Sequence, residues 1–304
     1  MRTVHLTSLA LSLAAAAVLS AGQPRVAIVA AAAGSPGDSS FTDPRDKLLA
    51  TGEFSAVDII PVTAAGSTPT LDQLLAYDAV LVWSNVNFNN AVLLGDRLAD
   101  YTDQGGGVVV ATFANTSINT SRYLRGRFDT DNYHLIPPAL GSSTGRATLG
   151  TIGVPGHPIM DGVNTLDGGT SSFRPTTLNL TDHAVLVARW SDGRTLVAVS
   201  SRFPSRVDLG LYPPSSDSSS MFWVASTDGA RLMANALLYA TSASPSCAAD
   251  FNNDGFLDFF DLDAFVACFE GEGCPSGRSP DFNNDGFVDF FDADAFFEAF
   301  EAGC

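Results

Sequence analysis

"AVLVWSNVNFNNAVLLGDRLADYTDQGGGVVVATF" occupies residues 79–113 and carries the pattern on which the architecture of most of the chain rests. It opens with six residues, 79–84, that are apolar on both faces of an extended chain. An Asn-rich turn follows, then a stretch over 90–106 with apolar residues at helical spacing, and a second apolar run over 107–113. A strand apolar on both faces must be covered on both faces, and two such strands joined by a helix lie parallel. Towards the N-terminus, "RVAIVAA" (25–31) and "VDIIPV" (57–62) read as two more buried strands. Helices are predicted at 43–52, with Pro44 near the start and Gly52 after the end, and at 70–78, with Thr70 as N-cap. Towards the C-terminus, residues 115–146 are polar, rich in Gly and Ser, and carry no period. Beyond them, 183–201 reads as a hairpin turning at Asp192-Gly193, 206–212 as a strand and 228–240 as a closing amphipathic helix. The class is α/β: a mostly parallel sheet with helices on both faces.

The 304 residues, 45% hydrophobic and 16% charged, are enough for one large domain and a small one. Arg2 and His5 precede an apolar run from Leu6 to Leu19, and Ser20, Ala21 and Gly22 follow it. That is the pattern of a secretory signal peptide over 1–22, so the exported chain is expected to begin near Gln23. The run is too short to span a bilayer comfortably, and no second apolar segment follows, so the expectation is a secreted or cell-surface bacterial protein with no membrane span after signal removal. The expected units are an α/β domain over 23–241, a linker over 242–246 and a small all-α domain over 247–304.

Charge is uneven along the chain. The whole carries −17, but the residues from Pro245 onward hold fourteen Asp and Glu against one Arg. So acidic a tail argues against nucleic acid and anionic membrane as partners and for a cation. All four cysteines, Cys247, Cys268, Cys274 and Cys304, also lie there. An even number in a small exported module suggests two disulfides, with three pairings open. Zinc is the alternative, but C-x₂-C spacing and a nearby histidine are both missing.

The tail holds the same twelve-residue pattern twice, "DFNNDGFLDFFD" at 250–261 and "DFNNDGFVDFFD" at 281–292. Oxygen-bearing side chains fall at positions 1, 3, 5, 9 and 12: Asp250, Asn252, Asp254, Asp258 and Asp261, then Asp281, Asn283, Asp285, Asp289 and Asp292. The carbonyls of Phe256 and Phe287 stand at position 7, and Gly255 and Gly286 at position 6. This is the spacing that wraps a calcium ion in hard oxygen ligands, with glycine permitting the sharp turn. Two Ca²⁺ ions are expected. Like charges about 4 Å apart cost about 4 kcal/mol per pair at an effective dielectric near 20, and a bound cation replaces that repulsion with attraction. After each loop, apolar residues recur at helical spacing: Leu262, Phe265, Val266 and Phe269, then Ala293, Phe296, Phe297 and Phe300. No helix is expected before either loop, because Pro and Gly stand there.

Two loop-plus-helix units with Asp at position 12 resemble the type I dockerin module, and "EAGC" at the end is similar to a Gly-Cys-ending bacterial variant. The resemblance implies a cohesin-like or other protein partner, in polysaccharide-related extracellular assembly. Positions 10 and 11, which help choose that partner in the family, are Phe259, Phe260, Phe290 and Phe291 here in place of small hydroxyl residues. An exposed apolar patch or packing against the large domain are the two fates open to them.

Residues 25 to about 240 resemble the class I glutamine amidotransferase-like fold, a flavodoxin-like α/β layer, through the strand–helix order, "AVLVWSN", "GGGVVVATF" and "GHPIMDGV". That family places a cysteine nucleophile on a sharp strand-to-helix turn. The matching place holds Thr112, Phe113, Ala114 and Asn115, and no cysteine lies in the domain, which excludes cysteine catalysis. Ser84, Thr112, Ser117 and Ser121 are substitute hydroxyls, none within the Gly-x-Ser-x-Gly elbow. His157 stands where Asp161 would hold it as a base, or else is a loop histidine bonded to backbone; His134 and His183 have no motif. The loops after the strands, rich in Asn, Ser and Thr, suit carbohydrate hydroxyls and are equally the ordinary composition of solvated loops. The expectation is a non-catalytic α/β domain carried by an attachment module; a dockerin-bearing polysaccharide hydrolase is the alternative.

Overall fold

The computed structural model describes residues 22–117, 119–242, 248–252, 257–275, 278–283 and 285–302. The expected signal segment over 1–21, linker residues 243–246, Asp254, Gly255, Phe256, Cys247 and Cys304 lie outside them, as does the side chain of Ser117.

Among the described residues ten strands and seven α-helices follow one another: β1 Arg25–Ala31, α1 Ser39–Ala50, β2 Ala56–Pro61, α2 Leu71–Leu74, β3 Ala79–Ser84, α3 Ala91–Asp103, β4 Gly107–Ala111, β5 Thr116–Ser117, α4 Arg127–Thr130, β6 Ala139–Leu140, β7 Leu149–Ile152, β8 Ala184–Trp190, β9 Thr195–Ser200, β10 Arg206–Leu209, α5 Gly229–Ser242, α6 Phe259–Phe269 and α7 Phe290–Ala302. Eight strands form one sheet in the order β2-β1-β3-β4-β10-β9-β8-β7. The first five run parallel, and β9, β8 and β7 continue the sheet antiparallel. β5 and β6 pair separately.

Alternation along each central strand feeds two cores. Val26, Ile28 and Ala30 of β1, with Leu81 and Trp83 of β3, join the side covered by α1 and α5; Ala27, Val29 and Ala31, with Val80 and Val82, join the side covered by α2 and α3. Every residue of β3 and β4 is buried, as strands apolar on both faces require. Among the described residues no helix is long and apolar enough to cross a membrane.

Several boundaries differ from the sequence reading. α1 starts at Ser39, four residues before the predicted start, so Pro44 lies inside the helix. Burial of Phe41 and Leu48 on one face, and of the Asp43 carboxylate against Ser215, draws the earlier turn into the helix. The helix predicted over 70–78 ends at Leu74. Thr70 caps it, with Gln73 completing a capping box. Beyond it the Tyr77 ring lies against the Arg25 guanidinium and its hydroxyl donates to Asp58 at 3.2 Å, which holds that segment on the sheet edge. The hairpin forms as β8 and β9, with Gly193 at φ +85° in its turn.

The tail has its own core. Phe251 and Phe282, equivalent in the two repeats, meet Phe265 and Phe296, equivalent in the two helices. Phe265 and Phe296 stack with centroids 4.1 Å apart and planes at 2°, while Phe251 meets Phe265, and Phe282 meets Phe296, edge-on at 5.2 and 5.4 Å. The 31-residue repeat thus builds a box of four rings in matched pairs. Of the pairings open for the cysteines, the structure contains the one joining Cys268 to Cys274.

Candidate functional site

In an open parallel sheet the crevice lies beyond the carboxyl ends of the strands. Here those ends are largely filled by rings: Trp83 meets Tyr212 edge-on at 5.4 Å, and Phe113, Phe173 and Phe222 surround Tyr212 at 5.5, 5.9 and 4.9 Å. Asn85 donates to the Tyr212 hydroxyl at 2.7 Å and accepts from Ala33 N–H at 3.2 Å. Burial pushes the Tyr212 phenol well above its ordinary range, against the opposing pull of the Asn85 amide and the Arg122 charge. Beside the rings remains an open crevice of about 550 Å³, lined by Ala33, Gly34, Thr63, Val86, Asn87 and Arg122 among others.

Of the substitute nucleophiles whose side chains are described, Ser84, Thr112 and Ser121, none meets a base. Ser84 is buried and its hydroxyl donates to the Arg122 carbonyl at 2.6 Å. Thr112 is buried with its hydroxyl unpartnered, and Ser121 is exposed. Each histidine bonds elsewhere: His134 Nε2 with Leu124 O at 2.9 Å, and His183 with Ser200 Oγ and Asn132 O at 3.0 and 2.8 Å. His157 turns Nδ1 onto its own short turn, accepting from Ile159 N–H at 3.2 Å, with burial lowering its pKa. The Asp161 carbonyl accepts from Asn235 at 2.7 Å, and no hydrogen bond joins the His157 ring to Asp161 among the described residues. His157 and Asp161 line a groove of about 1370 Å³ together with Pro24 and Asp78. Those two residues precede β1 and β3, so this larger groove sits at the amino ends of the strands, away from the crevice.

In the tail, the second loop is described at every expected ligand position. Asp281 accepts from Asp285 and Gly286 N–H, each at 3.0 Å; Asn283 Oδ1 accepts from Asp285 N–H and Asp285 from Phe287 N–H, both at 2.9 Å. Gly286 has φ +91°, a conformation that favours glycine. Asp292 is fully buried: one oxygen accepts from Asn283 N–H at 3.1 Å, the other from Asp289 N–H at 2.8 Å. The Asp289 N–H, against the opposing effect of burial and with help from Asn283 N–H, holds the Asp292 carboxyl below its ordinary value. The first repeat copies this stitching: Asp261 accepts from Asn252 and Asp258 N–H at 3.1 and 2.9 Å, and Asp258 accepts from Phe260 N–H at 2.8 Å as Asp289 does from Phe291 at 2.9 Å. As the loops stand, no three or more His, Cys, Asp or Glu side chains among the described residues are gathered to hold a metal. Asp254 and Phe256 of the first loop fall outside the description. Phe259, Phe260, Phe290 and Phe291 are 72, 68, 81 and 68% exposed, so both repeats present a phenylalanine pair at the same place. Packing against the large domain is not their fate.

No family model matches the chain, and no curated protein matches it. Solved structures do. A ThuA-like protein of Bacteroides uniformis matches with TM-score 0.52 at 12% identity, covering 76% of this chain and 98% of that one. A ThuA-like protein of Parabacteroides merdae matches with TM-score 0.50 at 13% identity, covering 73% and 91%. The glutaminase domain of Trypanosoma brucei CTPS, solved with acivicin bound, matches at TM-score 0.42, with 11% identity and coverage of 72% and 94%. At these identities the likeness to the two ThuA-like proteins shows the fold alone: the α/β domain has a ThuA-like architecture.

Proposed function

We propose that this is a secreted attachment protein whose tail binds two Ca²⁺ ions and docks onto a protein partner through its paired phenylalanines, carrying a non-catalytic α/β domain. The observation that carries the reading is the matched exposure of Phe259, Phe260, Phe290 and Phe291, at positions 10 and 11 of two acidic loops that differ only at Leu257 and Val288. A module whose core already uses Phe251, Phe265, Phe282 and Phe296 has no folding reason to leave four more rings in water.

The donor set fits calcium in chemistry: all ligand positions are oxygen, and the glycine at position 6 of the second loop adopts the turn required. Asp250, Asn252, Asp254, Asp258 and Asp261 with the Phe256 carbonyl would hold one ion; Asp281, Asn283, Asp285, Asp289 and Asp292 with the Phe287 carbonyl the other. Bound calcium supplies positive charge to carboxylates that otherwise repel. The non-catalytic reading is supported by the absence of cysteine from the α/β domain and by the commitment of Ser84 and its three histidines to other partners. Carbohydrate at the Asn-rich loops is a second partner compatible with that reading.

The test is retention of proteins from the producing organism's envelope on the immobilised full-length chain, with calcium and with chelator. Calcium-dependent retention should disappear in a Phe259→Ser, Phe260→Ser, Phe290→Ser, Phe291→Ser variant whose calcium stoichiometry is unchanged. Equal retention by that variant, or retention indifferent to chelator, would overturn the reading.

A further inference from the structure

The domain up to residue 244 holds more acids than bases, and most of its described arginines are ion-paired: Arg127 meets three carboxylates, Arg174 meets Asp192, Arg206 meets Asp208 and Arg231 meets Glu53. Arg122 departs from this pattern. Among the described residues it is the one arginine that is not fully exposed and whose guanidinium has neither an ion pair nor a hydrogen-bond acceptor, and its Nε is withdrawn from solvent without a partner.

Its position is built, not incidental. Ser121 O accepts from Phe88 N–H at 2.9 Å, Arg122 O accepts from the Ser84 hydroxyl at 2.6 Å, Leu124 N–H donates to Ala114 O at 3.0 Å and Arg125 N–H to Ala91 O at 3.1 Å. Gly95 in α3 permits this approach, since a Cβ there would stand 1.8 Å from Arg125 O. The end of β3, the loop after it, the start of α3 and the loop after β4 therefore fix the residue at the crevice beyond the carboxyl ends of the strands. It is the one charged side chain on a wall that is otherwise Ala, Gly, Thr, Val and Asn. The Asp38 carboxylate, packed against Gly34, is turned onto Ser35 N–H at 2.5 Å and forms no ion pair with Arg122.

We infer that this crevice is a binding site for a small oxyanion-bearing molecule, a carboxylate or a phosphate ester, with Arg122 as its anchor. A guanidinium offers two parallel N–H donors matched to either group, and the small residues around it bring backbone within reach of the rest of the ligand. Asn87, whose Oδ1 accepts from Asn119 at 3.2 Å, adds a neutral polar group on the same wall. The inference stands apart from the calcium reading of the tail.

Calorimetry on the full chain, without added calcium, tests it with inorganic phosphate, acetate and glucuronate as separate probes. One of them should bind saturably to the wild type, and Arg122→Gln should weaken that binding by about tenfold or more, the scale of a lost charge-assisted contact. Arg122→Lys, which keeps charge but loses the fork, should fall between and serves as the test if the glutamine variant misfolds. Arg125→Gln, an exposed arginine with no ion pair three residues on, should bind as wild type. Tighter phosphate assigns a phosphate ester; tighter acetate or glucuronate assigns a carboxylate. No saturable binding of any probe, or equal binding by the Arg122 and Arg125 variants, would overturn the assignment.

Discussion

Asp208 and Asp292 are both fully buried carboxylates, one in each part of the molecule, and they are neutralised differently. Asp208 accepts from Leu135 and Ile136 N–H at 3.1 and 2.9 Å and from the buried Arg206 guanidinium at 2.5 Å. Among the described residues Asp292 has backbone N–H donors only. The α/β domain folds around counter-ions it carries in its own sequence, while the tail sets fourteen acids against Arg278 alone. On the proposed reading, bound calcium would supply the positive charge that the tail's own sequence lacks.

The largest effect expected from breaking this comparison is in the sheet. Arg206→Met leaves Asp208 charged and unpaired in the core and should cost about 3–5 kcal/mol in denaturant unfolding of the α/β domain, with calcium making no difference. In the tail, Phe296→Ala removes one ring of the stacked pair and should cost about 3–5 kcal/mol there. Calcium should recover part of that loss, read as near-ultraviolet phenylalanine signal, and leave the α/β unfolding midpoint where it was.

The pH response sharpens the contrast. Because the Asp292 carboxyl is held below its unfolded value, its contribution to folding is complete above about pH 4 and drains away as pH falls through the lower folded pKa. Asp292→Asn should flatten the acid limb of the tail's stability profile below about pH 4; an unaltered limb would show that the backbone donors contribute nothing. The smallest effect is expected at His157. Its ring caps three residues, so His157→Ala should lower stability by about 1 kcal/mol and leave crevice binding and calcium binding unchanged.

How much of this was readable in the sequence follows from where burial is uniform. β1, β3 and β4 are apolar on both faces, so no register choice had to be guessed, and Thr70 and Asn90 announce their helices as caps. β7 escaped notice because Leu149–Ile152 is half-exposed at the sheet edge and pairs with β8 through a register shift. β5 and β6 are two residues each, too short for any period. The hydroxyl candidates were nameable, but that Ser84 is spent on the Arg122 carbonyl depends on a contact across 38 residues. Arg122 itself carries no motif: its signal is a missing partner, which only the fold reveals. The tail was legible because the repeat fixes equivalences. Phe251 with Phe282 and Phe265 with Phe296 are each one repeat apart, and the structure packs them as pairs.

Calcium titration of the full-length protein by calorimetry decides whether the tail is a two-ion module. The wild type should bind two ions, Asp250→Ala and Asp281→Ala one each, and chelator should loosen residues 247–304 while residues 25–240 keep their amide spectrum. The remaining disulfide between Cys268 and Cys274 limits that loosening to less than full unfolding. No binding by the wild type at millimolar calcium, or a tail spectrum indifferent to chelator, would contradict the account.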